Sequence, residues 1–258
     1  MGRVIEREKA ISPEKMARNV LSLLKKKADP EKAAQSQRYF KDTVCSYGWT
    51  AEEIRSLAHE LYLSVKKDWD FENALELCEI LLPHAYLEAK GIAVDILLRY
   101  KKDFPPKLFN KIKAWLSQNY CDNWATVDSL CPEAAGALLE RYPNFLEKIK
   151  TWVHSPNRWV QRASAVSFIK LARRGKFLGT VYEISEMLFA VKDDLIEKAN
   201  GWLLREAGKT DMERLEKFLL VRGPKIPRTT LRYAVERFPE KRRKRLLLKT
   251  KPKEENKP

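Results

Sequence analysis

At 258 residues the chain is long enough for one large domain or two small ones with a sizeable core, and Lys+Arg 50 against Asp+Glu 35 leaves a formal net charge of +15. That excess points toward a polyanionic partner, while 33% charged residues and only 9 glycines suit helices with long solvated faces. No apolar run reaches the roughly 18 residues needed to cross a bilayer. The opening residues MGRVIEREKA are no signal peptide, and Glu6 stands where a myristoylation signal needs Ser or Thr; a soluble cytoplasmic protein is expected.

Helix signals run from end to end. Ser12-Pro13-Glu14 reads as an N-cap followed by Pro at the first helical position, opening a helix with Val20, Leu21, Leu23 and Leu24 on its apolar side. Pro30-Glu31 opens a second helix that carries Gln37-Arg38-Tyr39-Phe40-Lys41. Thr50 and Glu53 match a capping box before a helix that repeats Ile54, Leu57, Ala58, Leu61 and Val65. Phe71, Leu75, Ile80 and Leu81 lead to a boundary at Pro83. Beyond it, Ala89, Ala93, Val94, Ile96, Leu97 and Leu98 predict a closely packed helix, and Pro105-Pro106 breaks the chain before Leu108, Ile112 and Trp115. Pro132, Pro143 and Pro156 punctuate the middle. Ser155 or Asn157 can cap the helix bearing Trp159, Arg162, Ala165, Val166 and Ile169, and residues 190–194 read as a turn before the helix through Ala199, Trp202, Leu203 and Glu206.

Short helices divided at such intervals predict an all-α fold, an α-solenoid of HEAT-like, armadillo-type repeats with a concave basic groove, over residues 1–240 as a single domain. Residues 241–258 lose the periodicity and read as a basic, flexible C-terminal tail whose cations could touch phosphates.

Much chemistry is missing. Cys45, Cys78, Cys121 and Cys131 form no CxxC pair, and His59, His84 and His154 do not complete a metal set. Reduced thiols, no metal and no cofactor are expected. No GxSxG, HExxH, EF-hand or dinucleotide-binding pattern occurs. Gly208-Lys209-Thr210 has Leu203 where a phosphate-binding loop needs Gly, so Gly208 reads as a left-handed residue ending a helix.

What stands out is an aromatic beside a polar group, repeated. Trp124 and Asp128 share one helix face a turn apart. Trp159 precedes Arg162 by one turn and Trp202 precedes Arg205 likewise, with the tryptophans recurring at intervals of about 40 residues, as if each repeat turned its Trp to a shared groove. An anion within so basic a chain works against general attraction for a polyanion. Any one Trp alone is as well explained by a core, and any one Asp by a solvated surface.

The blocks 123–128 (NWATVD), 155–163 (SPNRWVQRA) and 198–206 (KANGWLLRE) resemble the HEAT-like-repeat DNA alkylation repair glycosylases, the AlkD family. Arg38-Tyr39-Phe40-Lys41 and Thr229-Thr230-Leu231-Arg232-Tyr233-Ala234 resemble its first helices and last repeat, so the likeness runs over residues 30 to 238 in the family's order. It implies a monofunctional glycosylase that hydrolyses the N-glycosidic bond of N3- and N7-alkylated purines, such as 3-methyladenine and 7-methylguanine. It would act in double-stranded DNA, without flipping the base.

Carried over, the resemblance makes Trp124 and Trp202 the aromatics at the lesion deoxyribose and Asp128 the catalytic carboxylate. Arg162 becomes a groove residue holding the DNA backbone near it. Lys170, Arg205, Tyr39, Lys41 and Thr50 are the further DNA-contacting candidates. Ala125 stands where relatives often carry Asp, and Leu195-Ile196 where aromatics occur, departures that bear on lesion range. The expected partner is alkylated double-stranded DNA, with nucleoid association following from it, a monomeric state and no membrane. A DNA-shape binder without catalysis and a protein-interaction scaffold are the competing readings.

The chemistry also stands on the residues. Alkylation makes the purine a cationic leaving group, the sugar develops oxocarbenium character, and a carboxylate can stabilise it or orient water. Indole faces attract cationic groups by about 0.5–2 kcal/mol each. Nearby phosphates would raise the Asp128 pKa and arginines would lower it, an opposition that composition leaves open.

Overall fold

The computed structural model describes residues 11–251. The fold is all-α, of the α-solenoid class. In chain order the helices are α1 (Pro13–Lys26), α2 (Pro30–Ser36), α3 (Ala51–Val65), α4 (Phe71–Leu81), α5 (Leu87–Arg99), α6 (Lys107–Ser117), α7 (Trp124–Leu130) and α8 (Ala134–Arg141). They continue as α9 (Phe145–Lys150), α10 (Arg158–Val166), α11 (Ile169–Arg173), α12 (Leu178–Leu188), α13 (Asp194–Ala207), α14 (Met212–Arg222), α15 (Arg228–Ala234) and α16 (Glu240–Lys249). Among the described residues the sole extended pairing is an isolated bridge between Cys45 and Tyr86. All four cysteines are free thiols. No helix among the described residues is long and apolar enough to cross a membrane.

The described residues gather into two compact units, one formed by 11–105 with 118–126, the other by 106–117 with 127–251. Within the first, α5 packs on α3 and α4, and α1 on α4 and α5. The predicted caps form: Ser12 Oγ accepts from the Lys15 amide at 3.3 Å, and Thr50 with Glu53 closes a reciprocal capping box. Met16, Ala17, Val20 and Leu24 form the buried stripe of α1, each large side chain contributing about 1.5–3 kcal/mol.

Two charged residues hold this unit's connecting segments from inside. Glu88 is buried at the start of α5, and its Oε1 accepts from Ser46 Oγ (2.6 Å) and from the amides of Tyr47, Gly48 and Trp49 at 2.9–3.2 Å. Lys90, also buried, donates to the carbonyls of Leu82 (3.2 Å) and Tyr120 (2.6 Å) and pairs with Asp122 at 3.2 Å. It thereby ties residues 120–122 to α5. A buried carboxylate or ammonium is tolerable only with partners of this kind.

In the second unit α13 is central, packed by α10, α11, α12 and α15. Gly201 permits the α13–α15 contact, since a Cβ there would stand 2.4 Å from Tyr233 Cβ and 2.6 Å from the Thr230 carbonyl oxygen. Thr230 Oγ1 closes the junction by donating to the Glu197 carbonyl at 3.0 Å. Gly208 does end α13, but not as a left-handed residue: its φ is −67°. Tight packing explains the glycine, because a Cβ would meet Leu215 Cδ2 at 2.5 Å.

The largest departure from the sequence expectation is at the C-terminus. Residues 241–249, expected within a tail, belong to α16. Leu246 is fully buried, Arg242 and Arg245 both pair with Glu216 of α14, and Arg228 donates to the Leu247 carbonyl at 3.2 Å. Glu240 in its first turn and Lys249 in its last suit the helix dipole. One inserted leucine and one tertiary carboxylate suffice, and neither produces a sequence period. The rest of the expected tail, 252–258, lies outside the described residues.

Candidate active site

Helix α7 begins where Asn123 folds its side chain back, with Oδ1 accepting from the Thr126 amide (2.9 Å) and hydroxyl (3.1 Å). Asn123 is buried and Nδ2 donates to Asp122 Oδ1 at 3.0 Å, so the start of the helix is firmly set. The first residue of α7 is Trp124 and Asp128 lies one turn on, as the spacing predicts.

Trp124 is half-buried in the first unit. Its ring stacks on Phe40 with centroids 5.2 Å apart and planes at 25°, and its indole N–H donates to the Tyr39 carbonyl at 3.3 Å. Both partners stand on the segment 37–44, which one side chain clasps. Gln37 Nε2 donates to the carbonyls of Phe40 (3.2 Å) and Asp42 (3.0 Å), and its Oε1 accepts from the Val44 amide at 3.0 Å. Phe40 stands in the sequence block that resembles the family, but nothing in sequence identifies it as a support for Trp124, or Gln37 as a clasp.

Asp128 belongs to the second unit, where α10 meets it with Arg162. The contact is bidentate: Nε to Oδ1 at 2.8 Å and Nη2 to Oδ2 at 2.7 Å. The Arg162 side chain is 7% exposed and that of Asp128 16%. Burial pushes the Asp128 carboxyl above its usual range, and the two hydrogen bonds with the charge of Arg162 pull against that without cancelling it.

The third Arg162 nitrogen, Nη1, donates to the Leu195 carbonyl in the first turn of α13. One turn earlier on α10, Arg158 holds Asp193 by Nε at 3.1 Å and Nη2 at 2.5 Å, while Asp193 caps α13 by accepting from the amides of Leu195 (2.9 Å) and Ile196 (3.3 Å). Two arginines therefore lock α10 to the start of α13, the helix that carries Trp202.

Trp202 is half-buried on α13, immediately after Gly201 at the close α15 contact. Trp159, expected to face a groove, is instead a core residue at 6% exposure, with the Arg158 guanidinium 5.5 Å from its ring centroid. The reason lies in α10, buried at nearly every position from 159 to 166.

The expected basic contacts fare differently from one another. Arg162, expected to hold DNA backbone, is a buried scaffold for Asp128 rather than a surface clamp, because three of its nitrogens have protein acceptors. Lys170 is exposed and ion-paired with Glu133. Arg205 pairs with Glu236 and lies 3.8 Å from Glu206. Tyr39 is 78% exposed and Lys41 is exposed. The Thr50 hydroxyl accepts from the Glu53 amide at 3.2 Å as the α3 cap. Among the described residues no group of three or more His, Cys, Asp and Glu is placed to hold a metal ion.

Comparison with known proteins adds two findings. A family model described as "DNA alkylation repair enzyme" matches residues 20–238. A solved structure described as "Predicted DNA alkylation repair enzyme from Enterococcus faecalis" aligns with a TM-score of 0.72 at 20% identity, covering 83% of this chain and 98% of that one; at that identity the likeness is one of fold. A search of curated proteins gives no match.

Proposed function

The chain belongs to the DNA alkylation repair enzyme family, and from that premise we propose that it is a monofunctional DNA glycosylase acting on cationic N3- and N7-alkylated purines, among them 3-methyladenine and 7-methylguanine, in duplex DNA. The observation that carries the reading is the buried, bidentate Asp128–Arg162 pair. A carboxylate kept from bulk water and held in one orientation is what an oxocarbenium-like sugar requires. Arg162 offsets part of the burial cost and fixes both oxygens.

In the proposed reaction, water adds to the anomeric carbon as the N-glycosidic bond breaks. The bonding electrons leave with the purine and neutralise its charge, and the water proton passes to Asp128 or to solvent. On the family resemblance, Trp124 and Trp202 would each supply an indole face that favours a cationic lesion over a neutral base. No base flipping is required.

The test is release of 7-methylguanine and 3-methyladenine from methylated duplex by wild type and Asp128→Asn. The variant should lose about 10²-fold or more, the scale of one electrostatic contributor, while binding is retained. Equal rates would remove Asp128 from the mechanism. A second reading draws on the same pair: an anion already neutralised by a buried arginine suits a protein that binds DNA shape without cleaving a bond. That reading requires affinity for bent or branched duplex with no base release by wild type.

A further inference from the structure

Helix α16 begins at Glu240, beyond the family match that ends at residue 238. Basic side chains stand all round it, at Lys241, Arg242, Arg243, Lys244, Arg245 and Lys249, and three of them line up. Lys241, Arg245 and Lys249 follow at i, i+4 and i+8, one ridge of a helix with steps of about 6 Å along the axis. Arg242 adjoins that ridge. Lys241, Arg245 and Lys249 are exposed, whereas Leu246 on another side is fully buried and anchors the helix.

The acidic groups that meet α16 do not neutralise this ridge. Glu216, itself 7% exposed at the side chain, takes both Arg242 and Arg245, so one carboxylate faces two guanidiniums. Arg242 is held from below at 2.8 Å through Nε. The side chain of Arg245 remains 52% exposed despite its pairing. Glu240 pairs with Lys244 at 2.6 Å, beside the ridge and not with any of its three members. The result is a row of cations of which the middle one is pre-oriented by a buried anion.

We propose that α16 is an additional phosphate-binding surface, in which Lys241, Arg245 and Lys249 contact the backbone of duplex nucleic acid away from the lesion. The proposal rests on the reading that this chain works on duplex DNA. Contacts of this type carry no sequence information and position the protein along the duplex. An anionic lipid surface is the weaker fit, because a helix lying in a membrane interface needs a continuous apolar face. Here Leu246 is consumed by the core, and Leu248 at 65% exposure stands without a second fully exposed leucine on the helix.

The experiment compares the full chain with Lys241→Ala/Lys249→Ala and with Lys241→Arg/Lys249→Arg, measuring affinity for a short undamaged duplex against salt concentration. Both lysines are exposed, so an unchanged thermal midpoint is the folding control. Loss of two phosphate contacts should reduce the log–log salt slope by about 2 and weaken low-salt binding by about tenfold, and the arginine pair should restore both. An alanine pair with wild-type slope and affinity overturns the proposal. So does a defect confined to vesicles containing phosphatidylserine. Wild type that fails to bind duplex at low salt overturns it together with the glycosylase reading. A slope that falls by about 2 in the alanine pair, with no base released by wild type, supports α16 and sinks the glycosylase reading alone.

Discussion

Trp124 and Asp128, one turn apart on α7, are secured by different physics. Trp124 rests on an aromatic stack and a neutral 3.3 Å hydrogen bond to the Tyr39 carbonyl. Asp128 is gripped by two charge-assisted hydrogen bonds of 2.7 and 2.8 Å from a buried arginine. Neutral contacts of this kind contribute about 0.5–1.5 kcal/mol each. Breaking one side of a buried ion pair costs about 3–5 kcal/mol. The lesson is a division of labour in which the aromatic that would meet varied lesions has a yielding support, while the group proposed to do the chemistry has a stiff one.

The harshest way to break the contrast is to remove the stiff support. Arg162→Met should destabilise the protein by about 3–5 kcal/mol, lowering the thermal midpoint by roughly 10 °C or more. The variant leaves a buried carboxylate without its countercharge and the Leu195 carbonyl without its donor. A midpoint within two degrees of wild type would show that the pair contributes little.

Less severe is Gln37→Ala, which deletes three hydrogen bonds that shape segment 37–44. About 2 kcal/mol of local stability should go. Faster amide exchange should follow at Val44, with base release reduced because Trp124 loses its fixed neighbours. Protection at Val44 equal to wild type would refute the clasp. Phe40→Leu should be milder, forfeiting the stack for about 0.5–1.5 kcal/mol, read as increased quenching of tryptophan fluorescence by iodide.

The smallest effect is one of pH. Because burial raises the Asp128 carboxyl above its ordinary value of 3.8, protonation on acidification should begin to depress base release at a pH higher than an exposed aspartate would give. The stability sign is opposite to that of most paired carboxylates. The native state binds its proton more tightly than the unfolded chain, so this group's contribution falls as pH rises from 3.8 through its native pKa. Glu206 runs the usual way. Burial alone would raise its carboxyl, but hydrogen bonds from Lys209 and Arg173 outweigh that and hold it below 4.5. Its stabilisation is present above 4.5 and lost as pH falls through the lower native value. Matching acid limbs for wild-type base release and for an exposed model aspartate would remove the burial argument at Asp128.

Local signals were legible wherever the physics was local. Ser12, Thr50 with Glu53, and Asn157 mark helix starts through bonds spanning two to three residues, and each forms as expected. The helical spacing of Trp124 and Asp128 holds for the same reason. Trp159 and Trp202 look alike in sequence, each three residues before an arginine, yet one is core and the other half-buried, because that depends on what packs around each helix. Arg162 reads as a surface cation until α10 turns it inward against Asp128, 34 positions away.

Composition, helical periodicity and capping chemistry therefore determined, without any coordinates, an all-helical repeat chain with a basic surplus, and the spaced Trp, Asp and Arg blocks pointed to its family. Only tertiary packing decided that Arg162 supports a carboxylate, that Gln37 and Phe40 support a tryptophan, and that residues 240–249 are a helix. Propensity and capping act over one turn, within reach of neighbouring letters. Ion pairs and inserted leucines join residues dozens of positions apart, and no window of sequence contains both partners.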